Sequence, residues 1–242
     1  MLIRKWNNMA DQPKAGVAVQ TNPNLNYRAN LRPEVFALLP QLKPGMFVLE
    51  VGCGEGVFCR QITDAAEIWG IEPYAPSAEI AAQSLHRAFA ATYDEVEDQL
   101  PLDYFDLVIC NDVIEHMTDH DTFLRKIQKH MKKNSLLVGS LPNVRFSSNL
   151  VNLILLKDWH YQDAGILDRT HFRFFTFRSV RRSLEEAGFV IKRMEGLNKG
   201  QIRGFSARAI AERLFILGMD IISLGRAGDI RFLQVGFLAS PR

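Results

Sequence analysis

The heptapeptide Glu50-Val51-Gly52-Cys53-Gly54-Glu55-Gly56 follows directly on the apolar run from Met46 to Val51. A buried strand that runs straight into three alternating glycines has few continuations, because glycine neither extends a strand comfortably nor keeps the backbone away from a ligand. Such a turn lets a bound molecule lie against main-chain N–H groups, and a helix expected over residues 57–65 would aim its unpaired N–H groups at the same point. The spacing is Gly-x-Gly-x-Gly, not the Gly-x-Gly-x-x-Gly of the dinucleotide fingerprint, whose third glycine serves helix and strand packing around a pyrophosphate. A nucleoside cofactor without phosphates suits this loop better, and an NAD-binding oxidoreductase is the disfavoured alternative.

Downstream, short apolar runs alternate with helical spacing. Strands are expected over residues 67–71, 88–92, 105–110 and 135–141, and helices over 77–85 and 123–131. That order implies parallel β-α-β units with helices on both faces of the sheet. Ahead of the loop, 32–39 has helical spacing stopped by Pro40. After Pro142 the character changes. Residues 150–156 are apolar, 159–177 mix aromatic and charged side chains, 178–187 read as a helix closed by Gly188, and 189–194 and 231–238 read as two last strands, with an apolar helix of unassigned purpose over 205–224.

With 242 residues, 47% of them hydrophobic and 23% charged, the chain can bury a full core. Residues 1–26 read as a flexible polar arm and 27–242 as one domain, with a substrate-facing insertion at 144–177 and a helical insertion at 200–228. Tyr27 and Arg32 are candidates for a lid over the pocket. The formal charge is +2, with Lys and Arg scattered, so nothing demands a nucleic-acid partner. The three cysteines, Cys53, Cys59 and Cys110, have neither disulfide-framework nor zinc-ligand spacing, so no metal is assigned and the thiols read as small buried hydrophobes. No secretory signal or bilayer-spanning run is read, and a cytoplasmic location is expected.

Glu72 closes the second strand about twenty residues after the loop, a position from which a carboxylate accepts both hydroxyl protons of a ribose; a solvated Glu at a strand end is the bland reading. Asn111 and Asp112 stand at the carboxyl end of the fourth strand, the edge of an open α/β sheet where ligands bind. His116 lies one helical turn beyond Asp112. It is a candidate general base, since imidazole titrates near neutrality, and packing or capping a helix is its competing role.

Residues 46–143 resemble a class I S-adenosylmethionine-dependent methyltransferase. Val-Leu-Glu-Val-Gly-Cys-Gly-Glu-Gly matches the first motif, Gly-Ile-Glu-Pro the second, Tyr-Phe-Asp-Leu-Val-Ile-Cys-Asn-Asp-Val-Ile-Glu-His the fourth-strand motif, and Leu-Leu-Val-Gly-Ser-Leu-Pro-Asn the fifth strand and its exit. The resemblance implies an α/β fold of Rossmann-like type: a doubly wound, mostly parallel seven-stranded sheet with an antiparallel last strand. It implies S-adenosyl-L-methionine as cofactor, with Glu50, Gly52 and Gly54 shaping the methionine pocket, Glu72 on the ribose, Asp94 on the adenine and Asn111 lining the cofactor side. Asp94 sits in a wholly acidic stretch, so a solvated loop is its alternative.

The stretch Gly165-Ile166-Leu167-Asp168-Arg169-Thr170-His171-Phe172-Arg173-Phe174-Phe175 is similar to one in methyltransferases of bacterial surface-polysaccharide gene clusters. Asp168, Arg169 and Arg173 would recognise a polar or anionic acceptor there, and an ion-pair network tying the loop to the sheet is their alternative. Methyl transfer is an in-line displacement, so alignment and exclusion of water come first. A hydroxyl acceptor would add help from His116 or His171, with Asp112 beside them. The acceptor is expected to be a small polar or sugar-type molecule. The chain also resembles ubiquinone-type O-methyltransferases, which implies a quinone or lipid-linked acceptor as an alternative. In that case the 205–224 helix would touch a membrane surface, although core packing or a homodimer face is the favoured use of its apolar residues. A non-catalytic scaffold is the remaining alternative.

Overall fold

The computed structural model describes residues 31–242; the expectations for the 1–26 arm and for Tyr27 lie outside the described residues. Strands β1 (Phe47–Val51), β2 (Glu67–Ile71), β3 (Arg87–Phe89), β4 (Phe105–Asn111), β5 (Met131–Pro142), β6 (Phe189–Lys199) and β7 (Phe232–Pro241) form one sheet in the order β3-β2-β1-β4-β5-β7-β6. The pairs among β1 to β5 are parallel, and β7 inserts antiparallel between β5 and β6. This is the expected doubly wound α/β sheet with its antiparallel last strand.

Both faces of the sheet are covered, which is why the central strands are apolar without interruption. Along β1 and β4, Leu49, Val51, Val108 and Cys110 face one core with α4 (His120–Ile127) and α6 (Phe177–Glu186). Val48, Leu107 and Ile109 face the other, with Val35 of α1 (Pro33–Phe36) and Ala81 of α2 (Ala75–Ala82). Each fully buried aliphatic side chain stabilises by roughly 1.5–3 kcal/mol.

Several boundaries differ from expectation for local physical reasons. The helix expected over 57–65 is a single 3-10 turn, Cys59–Gln61. The backbone bonds tighten to i→i+3, Gln61 N–H to Phe58 and Ile62 N–H to Cys59, while Arg60 Nε and Gln61 Nε2 donate to the carbonyls of Gly56 and Phe58 and the Cys59 N–H turns to Glu50. The strand expected over 88–92 ends at Phe89, and Thr92 instead caps α3 (Tyr93–Val96) in a reciprocal box with Glu95. The helix expected over 123–131 starts earlier, on the cap Asp119, and ends before Met131, where β5 begins. The strand expected over 189–194 runs on to Lys199 as β6, and polar residues along this sheet edge hid its length. Residues 147–154 add α5 (Ser147–Ile154), and the 205–224 expectation is met by α7 (Ala207–Ile222). Ser147 donates to Glu212 at 2.5 Å between these two helices.

Candidate functional site

β1 turns sharply at its carboxyl end. Gly52, Gly54 and Gly56 have φ of 73°, 53° and 74°, where a side chain would be strained. The N–H groups of Gly52 and Cys53 donate to the Ile71 carbonyl at 2.8 and 3.1 Å, fixing the loop to the end of β2. A Cβ at Gly52 would lie 2.8 Å from Cγ2 of Val113, so the loop touches the exit of β4. Cys53 occupies space left by Gly70 of β2, where an added Cβ would be 2.6 Å from its sulfur. Burial raises all three thiols, Cys53, Cys59 and Cys110, and they are free and inert.

The cofactor candidates gather around this loop. Glu72, buried at the head of β2, accepts from the N–H groups of Gly54 and Tyr74, each at 2.9 Å. Glu50 is 2% exposed and accepts from the Cys59 N–H at 3.2 Å; burial pushes its carboxyl up to about 7. Both polar atoms of the Asn111 side-chain amide are buried without a partner among the described residues. An amide with donors and an acceptor left over beside a glycine turn is what an adenosyl ligand would complete, so the residues present fit S-adenosylmethionine. Asp94 stands exposed in the first turn of α3, beyond the end of β3.

Asp112, at φ 49°, is held from every side. Its carboxylate accepts from Arg32 Nη1 at 2.5 Å, Ser140 Oγ at 3.0 Å and Gln234 Nε2 at 2.7 and 2.8 Å. Arg32 also donates to Ser140 Oγ, Gln234 Oε1 and Glu34, and its pKa is raised: burial opposes the charge, but Asp112 and Glu34 outweigh it. Arg32, expected as part of a lid, is thus a clamp joining α1, β4, β5 and β7. The geometry suits Asp112 to positioning the β4 exit more than to proton transfer.

Three residues on, the 3-10 turn Ile114–His116 presents Glu115, 1% exposed, whose two oxygens have no hydrogen-bond partner among the described residues. Burial, then Asp112, raises its carboxyl well above the usual range. The loop carrying His171 is stapled to this turn: the N–H groups of Phe172 and Arg173 donate to the Glu115 carbonyl at 2.9 and 3.2 Å. The His116 and His171 rings meet edge-on with centroids 4.6 Å apart, and His171 Nε2 lies 4.0 Å from Glu115 Oε1. Burial, then His171, lowers the His116 pKa, so its ring is neutral near pH 7.

Hydrogen bonding sets the tautomers. His171 Nδ1 faces the Ile166 carbonyl at 3.0 Å, which only accepts, so Nδ1 carries the proton and Nε2 a lone pair. His116 Nδ1 faces the Thr170 carbonyl at 3.2 Å and its hydroxyl at 3.1 Å; that hydroxyl donates to Asp168 at 2.6 Å and so accepts from His116. Asp168, through Thr170, therefore orients His116. Arg169 pairs with exposed Asp163 at 3.3 Å, and Arg173 donates to the carbonyls of Thr118 and Phe172. The structure thus brings His116, His171 and Asp168 together and leaves Arg169 and Arg173 at the rim. Glu115 was missed: inside an Asp-Val-Ile-Glu-His run it has no sequence signal of its own beyond adjacency to His116.

A family model described as "Methyltransferase domain" matches residues 25–193. A "Ubiquinone biosynthesis O-methyltransferase" of Rhodopseudomonas palustris (strain HaA2) is 29% identical over 159 residues, 63% of this chain and 62% of that relative, so the match spans less than two thirds of the relative's length. Among solved structures, a SAM-dependent methyltransferase from Archaeoglobus fulgidus superposes with a TM-score of 0.62 at 19% identity, over 89% of this chain and 93% of that one. The Burkholderia thailandensis 1,6-didemethyltoxoflavin-N1-methyltransferase, bound to 1,6-didemethyltoxoflavin and S-adenosylhomocysteine, gives 0.54 at 14% identity, over 89% and 80%. With the family match spanning more than half the chain and a glycine loop that fits the cofactor, the chain belongs to the methyltransferase-domain family, enzymes built on this sheet that use S-adenosylmethionine as methyl donor.

Proposed function

We propose that the protein transfers a methyl group to a hydroxyl oxygen. The observation that carries this is the pair of Nε2 lone pairs on His116 and His171, held by the backbone carbonyls of Thr170 and Ile166 in and opposite the turn that follows β4. A hydroxyl needs help to lose its proton near neutrality, whereas a carboxylate or thiolate does not. When bound, S-adenosylmethionine supplies an electrophilic methyl: the O–C bond forms as the C–S bond breaks, and the sulfonium becomes a thioether. Glu72 would hold the ribose, Glu50 and the Gly52 to Gly54 backbone the cationic end, and Asn111 the remaining polar edge. Asp112 sets the β4 exit through Arg32, so that the histidines meet the acceptor at the methyl-transfer edge.

Removing either imidazole tests this. His116→Ala and His171→Ala should each lower methyl transfer by about 100-fold or more, with S-adenosylhomocysteine affinity within about twofold of wild type by calorimetry. Unchanged turnover in both would sink the assignment.

The exposed apolar side chains of two packed helices favour an acceptor with an apolar portion, quinone or lipid-linked. On α5 and just after it, Ile154 and Leu156 are exposed, and on α7 so are Leu214, Leu217 and Ile221. No helix of the described residues is long and apolar enough to cross a membrane, so contact would be peripheral. The naming of the relative as a ubiquinone-biosynthesis enzyme supports the same acceptor class. A small polar or sugar-type acceptor is the second reading, favoured by Arg169 and Arg173 at the rim. Co-sedimentation with vesicles separates the two, and a homodimer using the same face would show in sedimentation equilibrium without lipid.

A further inference from the structure

We infer that Glu115, His116 and His171 form a binding site for one divalent first-row transition-metal ion. A ligand atom from each of the three lies within 4.8 Å of the other two. Around an ion with bonds of about 2.1 Å, neighbouring ligand atoms stand roughly 3.4 Å apart in a tetrahedral set. The spacing is therefore wider than a bonded set, and the closure falls on the side chain freest to move, because no other group holds the Glu115 oxygens.

Three independent features point to a cation. A carboxylate 1% exposed with both oxygens unpartnered is retained in folded proteins where something completes it. Both histidines donate Nδ1–H to main-chain carbonyls, of Thr170 and Ile166, which is how metal-binding imidazoles are oriented with Nε2 outward. The two ligand segments, 55 residues apart, are stapled by the Phe172 and Arg173 N–H groups on the Glu115 carbonyl, so they are held side by side before any ion arrives. Two imidazoles and one carboxylate select Zn2+, Co2+ or Mn2+ over Mg2+, which prefers oxygen and water.

The binding claim stands on the side chains alone; its catalytic meaning deepens the proposed hydroxyl methylation and rests on it. An acceptor hydroxyl beside the ion would release its proton more readily, so the histidines would help that deprotonation through the cation their Nε2 lone pairs hold.

The test is a titration of chelator-treated, dialysed full-length protein with Co2+, followed by its visible d–d absorption, with S-adenosylhomocysteine calorimetry in parallel. One equivalent should bind, be displaced by Zn2+, and resist millimolar Mg2+. Glu115→Met, His116→Ala and His171→Ala should each weaken Co2+ binding by about 100-fold or more, and their retained affinity for S-adenosylhomocysteine reports that they are folded; the folded variants decide. Wild-type protein that binds S-adenosylhomocysteine but neither Co2+ nor Zn2+ would overturn the site, as would Co2+ binding unchanged in the folded variants. Co2+ bound at these residues without any affinity for the adenosyl ligand would uphold the site and defeat the proposed function instead.

Discussion

Toward β5 and β7, the carboxyl edge of the sheet is chemically complete, whereas toward β1 it is open. On the first side Asp112 accepts from Arg32, Ser140 and Gln234, and Gln234 also receives Arg32 and Asn198. On the other, Glu50 has one N–H from Cys59, while the Asn111 amide has no partner among the described residues. An unpartnered buried polar group costs about 1–3 kcal/mol. A chain that builds the Asp112 network next to Asn111 has no shortage of donors, and the open amide lies where the proposed cofactor would complete it.

Breaking the closed side should have the largest effect. Arg32→Ala leaves Asp112 buried without its cation and should cost about 3–5 kcal/mol in denaturant unfolding; a loss below about 1 kcal/mol would mean the two sides do not differ. On the open side, Glu50 has a folded pKa of about 7 against an ordinary 4.5. A raised carboxyl contributes stability that is fully present below about pH 4.5 and lost as pH rises through 7, a span on the order of 3 kcal/mol for the ligand-free protein. Glu50→Gln should flatten that slope in thermal melts at stepped pH. Gly52→Ala drives a Cβ against Val113, where the loop meets the β4 exit, and should cost about 2 kcal/mol with loss of adenosyl binding. Glu115→Met should move the other way, gaining about 1 kcal/mol in the metal-free protein, the opposite sign to its neighbour's clamp. The smallest effect belongs to the surface: Leu217→Glu with Ile221→Glu should change stability by less than about 0.5 kcal/mol yet reduce vesicle co-sedimentation.

Legibility in the sequence follows the same division. The alternation of buried strands and helices, the loop from Gly52 to Gly56 and Glu72 are local features, and each is where its pattern placed it. Local spacing failed where a distant group intervened. Beyond Gly56 the chain closes i→i+3 bonds, Gln61 N–H to Phe58 and Ile62 N–H to Cys59, and Gln61 reaches away to the Leu31 carbonyl, a partner that spacing over 57–65 does not show. Arg32 reads as a polar residue at the start of a helix, and only its bonds to residues 112, 140 and 234 make it a clamp. Glu115 lacked any mark of its own because its significance depends on His171, which reaches it through a loop whose turn chemistry at Asp168 and Thr170 is not periodic.

The position of β7 bears on the order of assembly. It lies between β5 and β6, and among the described strands it alone pairs with β6. On the ribosome, β6 is therefore made before it has a neighbour and waits as an unpaired strand until residues 232–241 emerge. Gln234 arrives in that same segment and joins two partners made long before it, Arg32 and Asp112. Closing contacts of such sequence separation is slow, so the network of Arg32, Asp112 and Gln234 is among the last parts of the molecule to set, and until then the nascent chain exposes the hydrogen-bonding edges of both β5 and β6.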